Sequence, residues 1–242
     1  MEIQPSPILP SRGVASPSLA SDAGGGDAFE VKYRLTTQEA DGVQAWARER
    51  LTPDPHGENG VYGTTSLYLD TSVLDIYHKT RGYRRSKYRL RRYGSEEWVH
   101  MERKIRRGDR VRKSRAAIAL AEVPRLIDAN GGGPWFGPLI RQRSLRPICW
   151  ISYTRTAFTA VTSGGPVRLT LDRDVMGTTA SAWMVPAGVD GRKLLPGEVI
   201  LELKFRSSLP ALFHDLLGSL PSRQVGVSKY GRCVEAWNLG RR

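Results

Sequence analysis

Charged and apolar side chains alternate with a period of two along short segments of this chain, and that pattern constrains its fold more than any other feature. Successive side chains of a strand point to opposite faces, so the alternation predicts half-buried strands with one polar and one apolar side. The segments are 29–35, 61–70, 84–93, 97–105, 150–161, 167–172 and 198–205, each bounded by Gly, Pro, Asp or Ser. Helical spacing is rarer: 37–51, opened by Thr37 and Glu39; roughly 114–129, interrupted by Pro124; 209–219; and 231–238. Short turns such as Gly94-Ser95 join neighbouring strands. The expected class is therefore α+β, with a mainly antiparallel sheet.

The polar faces are chemically biased. Glu30, Lys32 and Arg34 share a face opposite Phe29, Val31, Tyr33 and Leu35, and Lys87, Arg89 and Arg91 oppose Tyr88 and Leu90. Trp98, His100, Glu102 and Lys104 fall together in the next segment. Further on, Tyr153 lines up with Arg155, Arg168 with Thr170 and Asp172, and Glu198 with Glu202 and Lys204. Two arrangements account for this: ordinary solvated faces, or a barrel with a polar interior and helices covering its outside. Alternation alone does not separate them.

Net charge narrows the choice of partner. The 242 residues hold 37 Lys and Arg against 24 Asp and Glu, a formal +13, and residues 79–115 alone hold 16 cations and 4 acids. Such concentration points to a polyanion: a phosphate chain, nucleic acid or an anionic membrane. Residues 1–28 are rich in Pro, Ser, Ala and Gly without periodicity and are expected to form a disordered tail, leaving 29–242 as one domain. Cys149 and Cys233 are too few for a disulfide framework and read as buried thiols. No window approaches a membrane span and no secretory signal opens the chain, so a cytoplasmic protein is expected. His56, His78 and His214 lack metal-site spacing, and neither a P-loop nor a Rossmann glycine pattern is present.

At these residues the chain resembles the polyphosphate polymerase domain of the vacuolar transporter chaperone family, a branch of the triphosphate tunnel metalloenzymes. The resemblance rests on Glu30-Val31-Lys32-Tyr33, Ser66-Leu67-Tyr68-Leu69-Asp70-Thr71, Lys87-Tyr88-Arg89-Leu90-Arg91-Arg92-Tyr93-Gly94, Glu102-Arg103-Lys104 and Lys113-Ser114-Arg115. It continues through Tyr153-Thr154-Arg155, Arg168 to Asp172, Leu201-Glu202-Leu203-Lys204 and Ser228-Lys229-Tyr230, spanning about 29–238. It implies a closed antiparallel eight-stranded β-barrel, flanked by helices, whose polar lumen binds ATP and passes its terminal phosphoryl group to a growing inorganic polyphosphate chain.

Carried over position by position, Arg89, Arg91, Lys104, Arg155, Arg168 and Lys229 are the implied catalytic cations. Lys32, Lys113 and Arg115 join them in binding substrate, Tyr153 and Ser228 contact phosphate, and Glu202 holds Mn²⁺ or Mg²⁺. Lumen arginines are expected to have water and anion as their partners. Hydrolases and cyclases of the superfamily begin with Glu-x-Glu-x-Lys, and Ala28 stands at the first Glu, which favours the polymerase branch. The phosphate-sensing domain and membrane helices of fungal members have no counterpart in these residues, so export is not implied, although a membrane partner protein is compatible. Two alternatives stay open: a metal-dependent tri- or polyphosphatase, and a non-catalytic module for polyphosphate or nucleic acid. Tyr83, Tyr88 and Tyr93 among the cations suit the second, but no nucleic-acid-binding pattern accompanies them.

Phosphoryl transfer asks for little covalent work from a protein. The reacting oxygens must be held in line and the charge on the transferred group neutralised. Arginine suits both tasks, because its fork donates paired hydrogen bonds to phosphate and stays charged.

Overall fold

The computed structural model describes residues 29–107, 110–221 and 224–240, so the expected tail over 1–28 lies outside the described residues. Alternation along the strands resolves into one antiparallel sheet. In chain order the elements begin with β1 (Phe29–Thr36), α1 (Thr37–Arg50), β2 (Thr52–Pro53), β3 (Val61–Asp70), β4 (Ser86–Tyr93), β5 (Trp98–Arg107) and β6 (Arg110–Ala119). A 3₁₀ helix (Leu120–Ile127), α2 (Gly133–Gln142), β7 (Arg146–Thr162) and β8 (Gly165–Thr179) follow. The chain ends with β9 (Arg192–Lys193), β10 (Glu198–Phe205), α3 (Ala211–Gly218) and α4 (Lys229–Ala236).

The sheet order is β1-β10-β8-β7-β3-β4-β5-β6, with β2 and β9 as short additions on β7 and β8. Among the described residues no backbone pairing joins β6 to β1, so the hydrogen-bonded ladder does not close as the resemblance implies. The sheet nevertheless rolls: Lys104 Nζ on β5 lies 3.5 Å from Glu30 on β1, across the concave side. Twist accumulated over eight strands brings the edges within side-chain reach.

The apolar faces are covered in two places. Leu35, Phe158, Leu169, Leu171, Leu201 and Leu203 pack beneath α1 and α3, against Val43, Ala47, Phe213 and Leu216. Leu67, Leu69, Tyr88, Leu90, Val99 and Met101 pack beneath the 3₁₀ helix and α2, against Val123, Leu126, Phe136 and Ile140. Helix α1 begins at Thr37, where the sequence predicts it, but Thr36 rather than Thr37 caps it: the Thr36 side chain accepts from the Glu39 N–H and Glu39 reaches back to the Thr36 N–H, a capping box.

Helix α4 sits elsewhere. Tyr230, Cys233 and Val234 cover Tyr68, Cys149, Ile151 and Val175, and Tyr68 lies beside Arg89 on the concave face. Its placement is fixed by Asp70, which accepts hydrogen bonds from the Tyr230 hydroxyl (2.6 Å) and from the backbone N–H groups of Thr71, Ile76 and Tyr77. Both cysteines are buried free thiols.

One expected helix is replaced. Residues 110–119 form β6, paired with β5 from Arg107↔Arg110 to Trp98↔Ala119, and only 120–127 turn, as a 3₁₀ helix around Pro124. Ala116, Ala117, Ala119 and Leu120 favour a helix, but intrinsic propensity yields to a full-length hairpin partner.

Candidate functional site

Register builds the site. Pairing aligns Arg89, Glu102 and Arg115 across β4, β5 and β6, and Lys87, Lys104 and Lys113 one rung away. On the far edge it sets Lys32 beside Glu202 and Glu30 beside Lys204. The polar faces predicted strand by strand therefore share one lumen.

Five carboxylates organise the cations. Glu102 is 2.5 Å from Arg89 Nε, 3.7 Å from Arg115 Nε and 4.0 Å from Arg91 Nη1. Burial would raise its pKa, but Arg89, Arg91 and Arg115 together hold it well below the usual carboxylate range. Glu202 is 2.7 Å from Lys204 Nζ and 3.0 Å from Lys32 Nζ, and Lys32 also lies 3.0 Å from Glu30. Burial and the nearby Glu202 charge push Glu30 upward, yet Lys32, Lys204 and Lys104 bring it down to about 2. Asp172, fully buried, accepts from Arg155 Nε (2.7 Å) and Nη2 (2.9 Å) and from Lys229 Nζ (2.5 Å). Arg168 pairs with Asp54 at 2.9 Å and donates to the Tyr62 hydroxyl at 2.8 Å.

Some cations remain over. Among the described residues no carboxylate comes within ion-pair distance of Lys87 or Lys113. Burial lowers both ammonium pKa values, and cationic neighbours lower them further: Lys32, Lys104 and Arg89 for Lys87, Lys204 and Lys104 for Lys113. The lumen thus carries more positive charge than its own carboxylates balance. Such a surplus in a partly dehydrated space is stabilised by a bound polyanion.

All nine predicted phosphate-binding cations lie on this lumen or its rim, but their partners differ from expectation. Arg89 and Arg91 are not free: besides Glu102, Arg89 reaches the Tyr68 hydroxyl (3.3 Å) and Arg91 reaches Ser66 Oγ (3.3 Å). Tyr153 is buried beneath Arg155 and Lys229, whose charged groups stand 5.3 and 4.5 Å from its ring centre. Its ring supports these cations by cation–π contact. Ser228 caps α4, its hydroxyl accepting from the Gly231 N–H at 3.2 Å, and so holds the helix that carries Lys229. Asp54 and Tyr62 lie outside the predicted set: Asp54 is a loop carboxylate with no periodic signal, and Tyr62 on β3 carries no charge that would mark its face.

His100 shares the lumen face with Glu102, and its Nδ1 is buried without a hydrogen-bond partner. Burial, then Arg115 and Arg91, push the imidazole down to about 4 against the pull of Glu102, so the ring is neutral at pH 7. Among the described residues no three His, Cys, Asp or Glu side chains cluster as metal ligands. Glu30 and Glu202 do converge on one ammonium, each 3.0 Å from Lys32 Nζ. Two carboxylates fit Mg²⁺ or Mn²⁺ when phosphate oxygens and water complete the shell.

A rolled antiparallel sheet with an arginine- and lysine-rich lumen defines a tunnel-type protein. The VTC domain model matches residues 27–238, and the chain belongs to that family, within the triphosphate tunnel superfamily. A candidate adenylate cyclase from Bacillus halodurans has the same fold, with a TM-score of 0.51 and 14% identity over 82% of this chain and 92% of that one. A candidate adenylyl cyclase from Hippeastrum, described as having a dominant triphosphatase activity, aligns with a TM-score of 0.49 and 14% identity over 86% and 95% of the two chains. No curated protein matches the chain. No helix among the described residues is long and apolar enough to cross a membrane.

Proposed function

We propose that this protein is a polyphosphate polymerase that transfers the terminal phosphoryl group of ATP to an inorganic polyphosphate chain inside the lumen. The observation that carries the reading is the cation surplus around Lys87 and Lys113, next to arginines arranged on Glu102. A terminal phosphate oxygen of the acceptor chain attacks the γ-phosphorus, the bond from that phosphorus to the β–γ bridging oxygen breaks, and ADP leaves with the electron pair. The acceptor oxygen is already ionised, so no protein base is required. Arg89, Arg91, Arg155 and Arg168 hold the phosphates in line, while Lys32, Lys104, Lys113, Arg115 and Lys229 balance the spreading charge. Tyr153 and Ser228 act by positioning Arg155, Lys229 and α4.

Glu202, with Glu30 beside it, would hold a divalent Mn²⁺ or Mg²⁺. When bound, the ion supplies charge neutralisation on the phosphate oxygens. A phosphate chain lying between Lys32 and Lys204 on one side and Lys104 and Lys113 on the other would bridge the two sides of the open sheet through ion pairs.

The test is incubation of purified protein with ATP and Mn²⁺ or Mg²⁺, with polyphosphate resolved on a gel and orthophosphate measured in parallel. Lengthening chains are expected. Orthophosphate release without lengthening would replace the polymerase with a triphosphatase, and binding of polyphosphate without turnover would leave a non-catalytic module.

A further inference from the structure

One end of the lumen is lined by rings. His56, Tyr62, Tyr93 and His100 form a chain of neighbours, with centroids 6.1 Å apart for His56–Tyr62, 5.7 Å for Tyr62–Tyr93, 6.2 Å for His56–Tyr93 and 5.5 Å for Tyr93–His100. They come from the loop before β3, the start of β3, the end of β4 and the start of β5. The apolar core does not require them: none belongs to a buried cluster, and the His56 side chain is 63% exposed.

The rings abut the phosphate-binding cations directly. Arg115 donates to the Tyr93 hydroxyl at 3.2 Å and stands 5.6 Å from that ring centre, Arg91 stands 5.9 Å from it, and Arg168 donates to the Tyr62 hydroxyl. Two buried nitrogens at this end, His100 Nδ1 and Arg168 Nε, have no hydrogen-bond partner. The distant part of the lumen differs. Six residues along β3 separate Tyr62 from Tyr68, about 20 Å at strand rise, and there Tyr68 is stacked on Tyr230 of α4. Tyr68 and Tyr230 are buried and occupied by each other, whereas the rings around His56 are partly open, so a ligand with a flat heterocycle at one end and a phosphate chain at the other matches this lumen best with its ring at the His56 end.

We infer that His56, Tyr62 and Tyr93 form a nucleoside subsite, on which the base of a nucleoside triphosphate stacks while its phosphates run inward over Arg91, Arg115 and Arg168. The inference rests on the proposed triphosphate site and adds to it which end receives the base. Stacking on aromatic side chains is tolerant of base identity, so purine and pyrimidine nucleotides are both accommodated. The phosphates, gripped by arginine, supply the affinity common to all of them.

Calorimetric titration with ATP and with inorganic tripolyphosphate, in wild type and in His56→Ala, Tyr62→Leu and Tyr62→Phe, tests this. Loss of one stacking ring weakens binding by roughly 5- to 100-fold. His56→Ala and Tyr62→Leu are expected to lose that much affinity for ATP and less than about threefold for tripolyphosphate. Tyr62→Phe keeps the ring and loses only the hydroxyl, so it should retain the preference for ATP. Equal losses for both ligands, or unchanged ATP affinity in the folded variants, overturn the subsite while leaving the phosphate site in place. If wild type binds neither ligand, the triphosphate reading itself falls and the subsite with it.

Discussion

The Lys104 ammonium lies 3.5 Å from the Glu30 carboxylate, although five strands separate β5 from β1 in the sheet. Backbone pairing does not join the edge strands β6 and β1 among the described residues. Charge does: Glu30 is shared by Lys32, Lys104 and Lys204, one from the opposite edge and two from its own. The rolled shape thus depends at its seam on a carboxylate that phosphate could replace.

Glu30→Gln should loosen that seam. A buried carboxylate with several cationic partners typically contributes on the order of 2 to 3 kcal/mol, measurable by denaturant unfolding at pH 7. Glu30 is depressed to about 2 from an ordinary value of 4.5, so its contribution is present above 4.5 and lost as pH falls toward 2. The gap between wild type and variant should close over that window. Tripolyphosphate should also narrow it at pH 7; a gap unaffected by either acid or anion would assign Glu30 no part in the seam.

His100 gives a second pH dependence, nearer neutrality. Its imidazole takes up a proton near 6.5 when unfolded and about 4 when folded. Between these values the unfolded chain binds the extra proton, so stability falls as the medium is acidified from 6.5 to 4. His100→Gln removes this component, and its stability should decline less steeply over the same window. Parallel curves for the two proteins would show that the half-buried ring is not held neutral.

The alternation at Glu30, Lys32, Glu202 and Lys204 was legible because a strand has only two faces, and the charged one had to be shared with neighbouring strands. What alternation does not encode is how far the sheet curls, and the open β1–β6 ladder is invisible in it. The same limit hid β6: Lys113 and Arg115 lie two apart, as on any strand, but the alanines after them favour a helix in isolation. Only the partner strand decides. Sequence placed Arg89 and Arg91 correctly on the polar face while assigning them solvent and anion as partners, because Glu102 meets them only through register. Asp54 carries no signal at all, being a loop residue aligned with Arg168 by tertiary structure alone.

Glu102 stands among three arginines, so its removal should separate stability from binding. Glu102→Gln leaves Arg89, Arg91 and Arg115 repelling one another, at a cost of about 3 kcal/mol in the free protein. The same change frees their hydrogen-bonding capacity for phosphate. Thermal unfolding without ligand should shift downward, while the affinity for tripolyphosphate holds or rises. Loss of both would mean that Glu102 positions the arginines for the anion as well as neutralising them.

Glu202 decides the chemical part of the proposal. It is buried, 2.7 Å from Lys204 and 3.0 Å from Lys32, so it already has the ion pairs that a buried carboxylate needs. Burial alone would raise its pKa, but Lys204, Lys32 and Arg155 hold it well below the usual range, and it is ionised throughout the physiological span. Under the proposed function, an ionised carboxylate next to Glu30 would attract a divalent cation once phosphate drew the lysines away. Glu202→Gln preserves shape and removes charge. The free variant should lose stability, since two ammonium groups are left without their shared partner. That loss does not identify the role, because ion pair and metal ligand both predict it. Turnover does: with ATP still bound through the arginines, Mn²⁺-dependent activity should fall by roughly 100-fold or more, and Lys204→Met, which removes an ion pair and spares the carboxylate, should keep the Mn²⁺ response. If Glu202→Gln retains metal-stimulated turnover after its loss of stability is corrected for, Glu202 is a structural counter-ion, and the metal must be held by the phosphates or by other groups.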